Sequence, residues 1–142
     1  MCPRIIARPA LALLAALSVL AAAASSACAA GDVAAGERVF KNNCTICHAA
    51  TAGGLAKMGP ALENEQGPTL SGIVGRHSAS VPDYPYSEAM RKAGKIWDDP
   101  TLDAYLTPRR NLVPGNKMLF VGLENAQDRR NLIAYLATLR AR

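Results

Sequence analysis

The apolar positions of this chain change character near residue 30. From 10 to 24 every residue is apolar except Ser18, with no periodicity at all. Beyond residue 30 the apolar residues thin out and take up helical spacing. Asp32 precedes Val33, Gly36 and Phe40 at intervals of three and four, which predicts a capped helix from Val33 to about Asn43. Ser87 and Gly94 bracket a short helix reaching about Ala93. Asp99-Pro100 reads as a cap followed by proline in the first turn; Leu102, Tyr105 and Leu106 share a face behind it, and Pro108 closes the helix. Asn125 opens a last helix, with Asp128 in its first turn and Leu132, Tyr135, Leu136 and Leu139 along one side. Residues 49–67 and 108–124 carry the glycines and prolines of loops, with room for a single turn within 61–66. No alternating run long enough for a strand is present, and no repeat. The expected fold class is all-α, three to five helices joined by long loops.

The opening thirty residues form a separate unit. Arg4 and Arg8 supply a positive start, the apolar run follows, and Ser25-Ser26-Ala27-Cys28-Ala29-Ala30 ends in small residues. That is the order of a secretory signal peptide. Fifteen residues rise about 22 Å as a helix, against about 30 Å for a bilayer core. The expectation is therefore a signal at 1–30, cleaved near Ala29–Gly31, and a mature domain at 31–142 in the periplasm with no stable membrane insertion. An uncleaved anchor, or a lipid on Cys28, are the alternatives.

All 11 acidic residues lie after residue 30, with 14 of the 16 lysines and arginines. The basic residues are scattered rather than clustered, which argues against nucleic acid as a partner. The chain has only two Phe and one Trp, few large apolar groups for a domain with such long loops. Something else should supply apolar volume.

Removing the leader takes Cys2 and Cys28 with it and leaves Cys44 and Cys47. One close pair is not a disulfide framework. These two belong to Cys44-Thr45-Ile46-Cys47-His48, the Cys-x-x-Cys-His attachment pattern of c-type haem. Two thiols three positions apart on a helical turn can reach the two vinyl groups of one porphyrin, and the histidine that follows can reach its iron. A haem would also fill the core. A redox dithiol would belong beside a βαβ pattern, a zinc site would need four ligands, and a plain disulfide would not need His48. For a sixth ligand the residues alone leave Met58, His77, Met90 and Met118 open. Met90 falls in a predicted helix, where methionine is usually core filler. Met118 follows Pro114-Gly115-Asn116-Lys117 in a loop whose turn residues suit a fixed thioether, and Met58, beside Gly59-Pro60, is its main rival.

The chain resembles the class I cytochromes c, small soluble mono-haem electron carriers of mitochondrial and bacterial type. The resemblance rests on Gly31-Asp32-Val33 with Gly36 and Phe40, on residues 44–48, on Gly67-Pro68-Thr69-Leu70-Ser71-Gly72 with Gly75-Arg76, and on Tyr86, Trp97, Leu102 and Tyr105-Leu106. Pro114-Gly115-Asn116-Lys117-Met118-Leu119-Phe120 and Leu132-Ile133-Ala134-Tyr135-Leu136 complete it. It implies His48 and Met118 as the axial ligands of one covalent haem c iron held through Cys44 and Cys47. It implies the Pro68 carbonyl on the His48 ring, Arg76, Tyr86 and Trp97 on the haem propionates, and Tyr105 near the Met118 sulfur. It also implies a crossing of the first and last helices at Gly36, Phe40, Leu132 and Tyr135. Two departures stand out. Nineteen residues separate His48 from Pro68, more than in the shortest members, and Asn116 replaces a threonine that often bonds a propionate.

The expectation is thus a monomeric periplasmic carrier of single electrons, not an enzyme. Its partners would be redox proteins such as a membrane oxidoreductase, an oxidase or a dehydrogenase. Docking would involve Arg109, Arg110 and Lys117, with Lys57 and Lys95 as further candidates. The alternatives are a cytochrome subunit of a dehydrogenase or oxidase complex, and a haem enzyme or gas-binding protein in which Met118 is displaced.

Overall fold

The computed structural model describes residues 31–50, 67–108 and 112–139. The signal at 1–30, the turn within 61–66, and Lys57, Met58, Arg109 and Arg110 lie outside the described residues. Four helices run in order within them: α1 (Val33–Asn43), α2 (Glu88–Lys92), α3 (Asp99–Leu106) and α4 (Ala126–Thr138). No strand forms among the described residues. The one sheet-like feature is an antiparallel bridge between His77 and Ile96.

Each helix begins where a short polar side chain can accept a backbone N–H that the helix leaves unpaired. Asp32 accepts from Ala35 N at 2.7 Å, and Ser87 from Met90 N at 3.1 Å. Asn125 accepts from Gln127 N at 2.7 Å and from Asp128 N at 3.3 Å. The third helix differs from the sequence expectation by one residue. Asp98, with extended backbone, is the cap and accepts from Thr101 N at 2.9 Å, so Asp99 is already helical. Two adjacent aspartates made the register ambiguous. Asp98 wins because its carboxylate stands three residues before a free N–H, and Pro100 still falls in the first turn, where its missing N–H costs nothing.

The core forms where α1 crosses α4. Phe40, Leu132, Ile133 and Leu136 are buried there, joined by Leu102 and Leu106 of α3, by Cys44, and by Ile73 and Trp97 from the loops. The Phe40 and Tyr135 rings sit 5.2 Å apart. Asn131, buried in α4, accepts from Asp32 N at 2.8 Å and from Gln127 Nε2 at 2.8 Å, so the start of α1 is tied to the middle of α4. Gly36 permits the crossing: a Cβ on it would lie 1.9 Å from the Asn131 carbonyl oxygen.

The loop after Pro68 is held by long-range backbone bonds. Gly75 N donates to Trp97 O at 2.9 Å, Trp97 N to Arg76 O at 2.9 Å, and Ser78 N to Lys95 O at 2.8 Å. This short ladder fixes Arg76 beside Trp97, although the two are far apart in sequence.

Gly36→Ala should lower stability by about 2 kcal/mol or more, because a packed crossing has to open to admit the methyl group. Urea unfolding of the mature protein checks it; an unchanged midpoint would mean that the helices do not meet this closely.

Candidate haem-binding site

The Cys-x-x-Cys-His segment continues α1 as a tight turn. Cys44 N donates to Phe40 O at 2.8 Å, Cys47 N to Cys44 O at 3.0 Å, and His48 N to Cys44 O at 2.8 Å. These bonds bring Cys44, Cys47 and His48 onto one turn. Cys44 is buried, Cys47 half-buried, and neither is in a disulfide. Burial pushes the Cys44 thiol up to about 11, with the nearby Cys47 adding to it. That is the opposite of the lowered thiol pKa on which dithiol redox catalysts rely.

His48 is held from two sides. Its Nδ1–H donates to the Pro68 carbonyl at 2.7 Å, which leaves Nε2 as the nitrogen available to a metal. The backbone of Gly67 lies against the ring: a Cβ there would come within 2.3 Å of Cε1 and 2.5 Å of Nδ1. Gly67 N in turn donates to Cys47 O at 2.7 Å. Burial holds the imidazole pKa below its ordinary value; the Pro68 bond opposes this and the Arg76 charge reinforces it.

Three residues expected to face carboxylates come together. Arg76 donates from Nη1 to Ser71 O and from Nη2 to Thr69 O, both at 2.9 Å. Its Nε is buried with no hydrogen-bond partner. Burial lowers its pKa, and the neighbouring Tyr86 counteracts this. The Tyr86 hydroxyl accepts from Val81 N at 3.4 Å, so its own proton remains to be donated. Trp97 is buried beside Arg76 on the backbone ladder. A buried, unpaired guanidinium N–H next to a phenol and an indole calls for an anion in the same pocket.

Across the site, Tyr105 stacks against Trp97 with ring centroids 4.9 Å apart, and burial pushes its phenol up to about 12. Tyr84 couples electrostatically to Cys47 and Tyr86, and Tyr105 to Tyr84. Tyr105 and Met118 line one half-open surface pocket together with Leu112, Asn116, Phe120, Val121 and Gly122; Cys44, Cys47 and His48 are not part of its lining. Met118 is half-buried and non-helical. Asn116 accepts from Met118 N at 2.8 Å and donates to Val113 O at 2.7 Å. It therefore braces the loop internally, where a threonine would have offered a hydroxyl.

Of the rival sulfurs and nitrogens, Met90 is in α2 and packs on the core, while His77 is exposed on the bridge to Ile96. Lys117 is exposed and donates to Pro85 O at 3.2 Å. The sequence reading missed Gly67 as a wall for the imidazole, Tyr84 beside Cys47, and the pairing of Asp103 with Arg129. Only Gly67 had a signal, its place directly before Pro68. The residues present fit a haem: two thiols and an imidazole on one turn, an unpaired cationic N–H, and a cavity bearing a thioether.

Comparison with known proteins agrees. The cytochrome c family model matches residues 33–140. The cytochrome c2 of Rhodomicrobium vannielii is 46% identical over 109 residues, covering 77% of this chain and 80% of the relative. The cytochrome c of Chlamydomonas reinhardtii is 43% identical over 107 residues, covering 75% and 88%. The cytochrome c2 of Rhodoblastus acidophilus is 39% identical over 112 residues, covering 79% and 96%. With its Cys44–Cys47 pair as the covalent anchor of haem c, the chain belongs to the cytochrome c family, whose members carry electrons rather than catalyse reactions.

Proposed function

We propose that the mature chain is a monomeric periplasmic shuttle that passes single electrons between redox proteins, with His48 and Met118 as axial ligands. Haem c supplies a one-electron iron couple when bound. The chain does the rest. Pro68 and Gly67 fix the His48 ring so that Nε2 stays in place through both oxidation states. Met118 offers a soft thioether, which favours the reduced iron and raises the potential. Arg76 would offset the charge of the haem propionates, and Tyr86 and Trp97 would donate hydrogen bonds to them. Tyr105 stands in the Met118 cavity. With His48 and Met118 both on the iron, no position would be left open for a substrate or gas. The observation that carries this reading is the 2.7 Å bond from His48 Nδ1–H to Pro68 O, which orients the ring as an iron ligand requires.

The export reading rests on the order of residues 1–30, a positive start, an apolar run and small residues. No helix among the described residues is long and apolar enough to cross a membrane. Docking is assigned to Arg109, Arg110 and Lys117. Exposed Ile46, Leu119 and Val121 add apolar contact near the attachment turn and the Met118 loop.

Three outcomes test this. Met118→Ala should abolish the sulfur-to-iron charge-transfer band of the ferric protein and open it to rapid carbon monoxide binding when reduced; an unchanged band would move the ligand to Met58 or Met90. Cys44→Ala with Cys47→Ala should leave a haem that acid solvent extracts. The third concerns pH. His48 has a lowered folded pKa, and iron on Nε2 competes with a proton in the same direction. The unfolded chain therefore takes up a proton near 6.5 that the folded chain refuses. The stabilisation is full above pH 6.5 and falls by about 1.4 kcal/mol per pH unit below it, until the folded pKa is reached. Denaturant midpoints between pH 7.5 and 4.5 read this directly; a flat profile would show His48 either exposed in the folded chain or still held by the covalently attached haem in the unfolded one.

A further inference from the structure

The loop that carries Met118 leaves α3 after Leu106 and returns to α4. Its two ends meet: Leu123 N donates to Leu106 O at 2.8 Å. Behind that junction sits Arg129, a charged side chain only 9% exposed. Its guanidinium makes three bonds to two other parts of the chain. Nη1 donates to Leu123 O at 2.7 Å and to Glu124 O at 3.1 Å, the returning end of the loop. Nε donates to Asp103 Oδ1 at 2.7 Å, on α3 two residues before Tyr105. Arg129 itself belongs to α4. One buried cation thus joins the loop exit, α3 and α4.

We propose that Asp103 and Arg129 form a clamp on the neck of the Met118 loop and so set how often Met118 leaves the iron; the idea rests on the reading of Met118 as ligand. They are positioning residues and touch neither sulfur nor haem. The physics is asymmetric. Elsewhere the loop is braced by Asn116 within itself and by the exposed Lys117 bond to Pro85. The Asn116 bonds can persist while the loop swings; the Lys117 bond must break, but it is exposed and water readily replaces it. The part-buried, charge-assisted neck bonds are the costlier ones to open. Asp103, whose side chain is 43% exposed, supplies the only carboxylate that pairs with this guanidinium among the described residues. Charge-assisted bonds are stronger than neutral ones, and a buried cation that loses its counter-charge is poorly held by carbonyls alone. Neutralising Asp103 should loosen the neck while leaving the crossing of α1 and α4 intact.

The test uses the mature ferric holoprotein and compares wild type with Asp103→Asn and Asp103→Glu. The rate at which added imidazole displaces the sulfur ligand should rise roughly five- to tenfold in Asp103→Asn, the loss of one partly solvated charge-assisted bond. It should return toward wild type in Asp103→Glu. Exchange of the Leu123 amide should speed up by the same factor, with the Phe40 and Leu132 amides and the reduction potential unchanged. An unchanged imidazole rate overturns the clamp. So does a rise matched by equal acceleration at Phe40 and Leu132, which would signal general loosening. Should wild type lack the sulfur-to-iron band, the ligand reading falls instead. Leu123 exchange in Asp103→Asn then still decides whether the neck is clamped as described.

Discussion

The structure depends on a turn in which the backbone, not the side chains, does the positioning. Phe40 O of α1 accepts from Cys44 N and Thr45 N, and Cys44 O accepts from Cys47 N and His48 N, so the turn that ends α1 places Cys44, Cys47 and His48 together. A helix that merely frayed at this end would leave two thiols and an imidazole on a mobile segment, and ordering them would consume the binding energy of the group they hold. Here the order is inherited from α1. That helix is in turn fixed by its close crossing with α4 at Gly36 and by the Asn131 bond to Asp32. The geometry around His48 is thus set partly at the opposite end of the helix that precedes it.

The second half of the site is assembled from loops, and its logic is electrostatic. Arg76 is stationed by the short ladder with Trp97, its two terminal nitrogens satisfied by carbonyls and its Nε left over. An unpaired buried donor is costly in isolation. An acidic group reaching Arg76 Nε would satisfy it, and Tyr86 lies near enough to influence the guanidinium.

Much of this was legible in advance, because the helix signals and the attachment pattern are local. Capping residues, the three-and-four spacing of Phe40 and Leu132, and Cys-x-x-Cys-His all act within a few positions, so a linear reading finds them. The one misplacement, at Asp98, came from two identical caps side by side. What escaped was non-local. Nothing in the pattern around Asp103 or Arg129 announces a partner twenty-six positions away. The burial of an arginine in α4 contradicts the usual exposure of that residue. Asn116 could be seen as a departure, but its replacement bonds to Val113 and Met118 need the loop's path. The roles of Arg76, Tyr86 and Trp97 came from resemblance, and only the ladder explains why Arg76 and Trp97 lie side by side.

The segment after Met118 alternates. Leu119 is 90% exposed and Val121 86% exposed, while Phe120 between them turns inward. Two large aliphatic groups therefore stand in water beside a side chain committed to the core. A protein that covers this face must strip water from both, and the gain is felt only at contact and is indifferent to ionic strength.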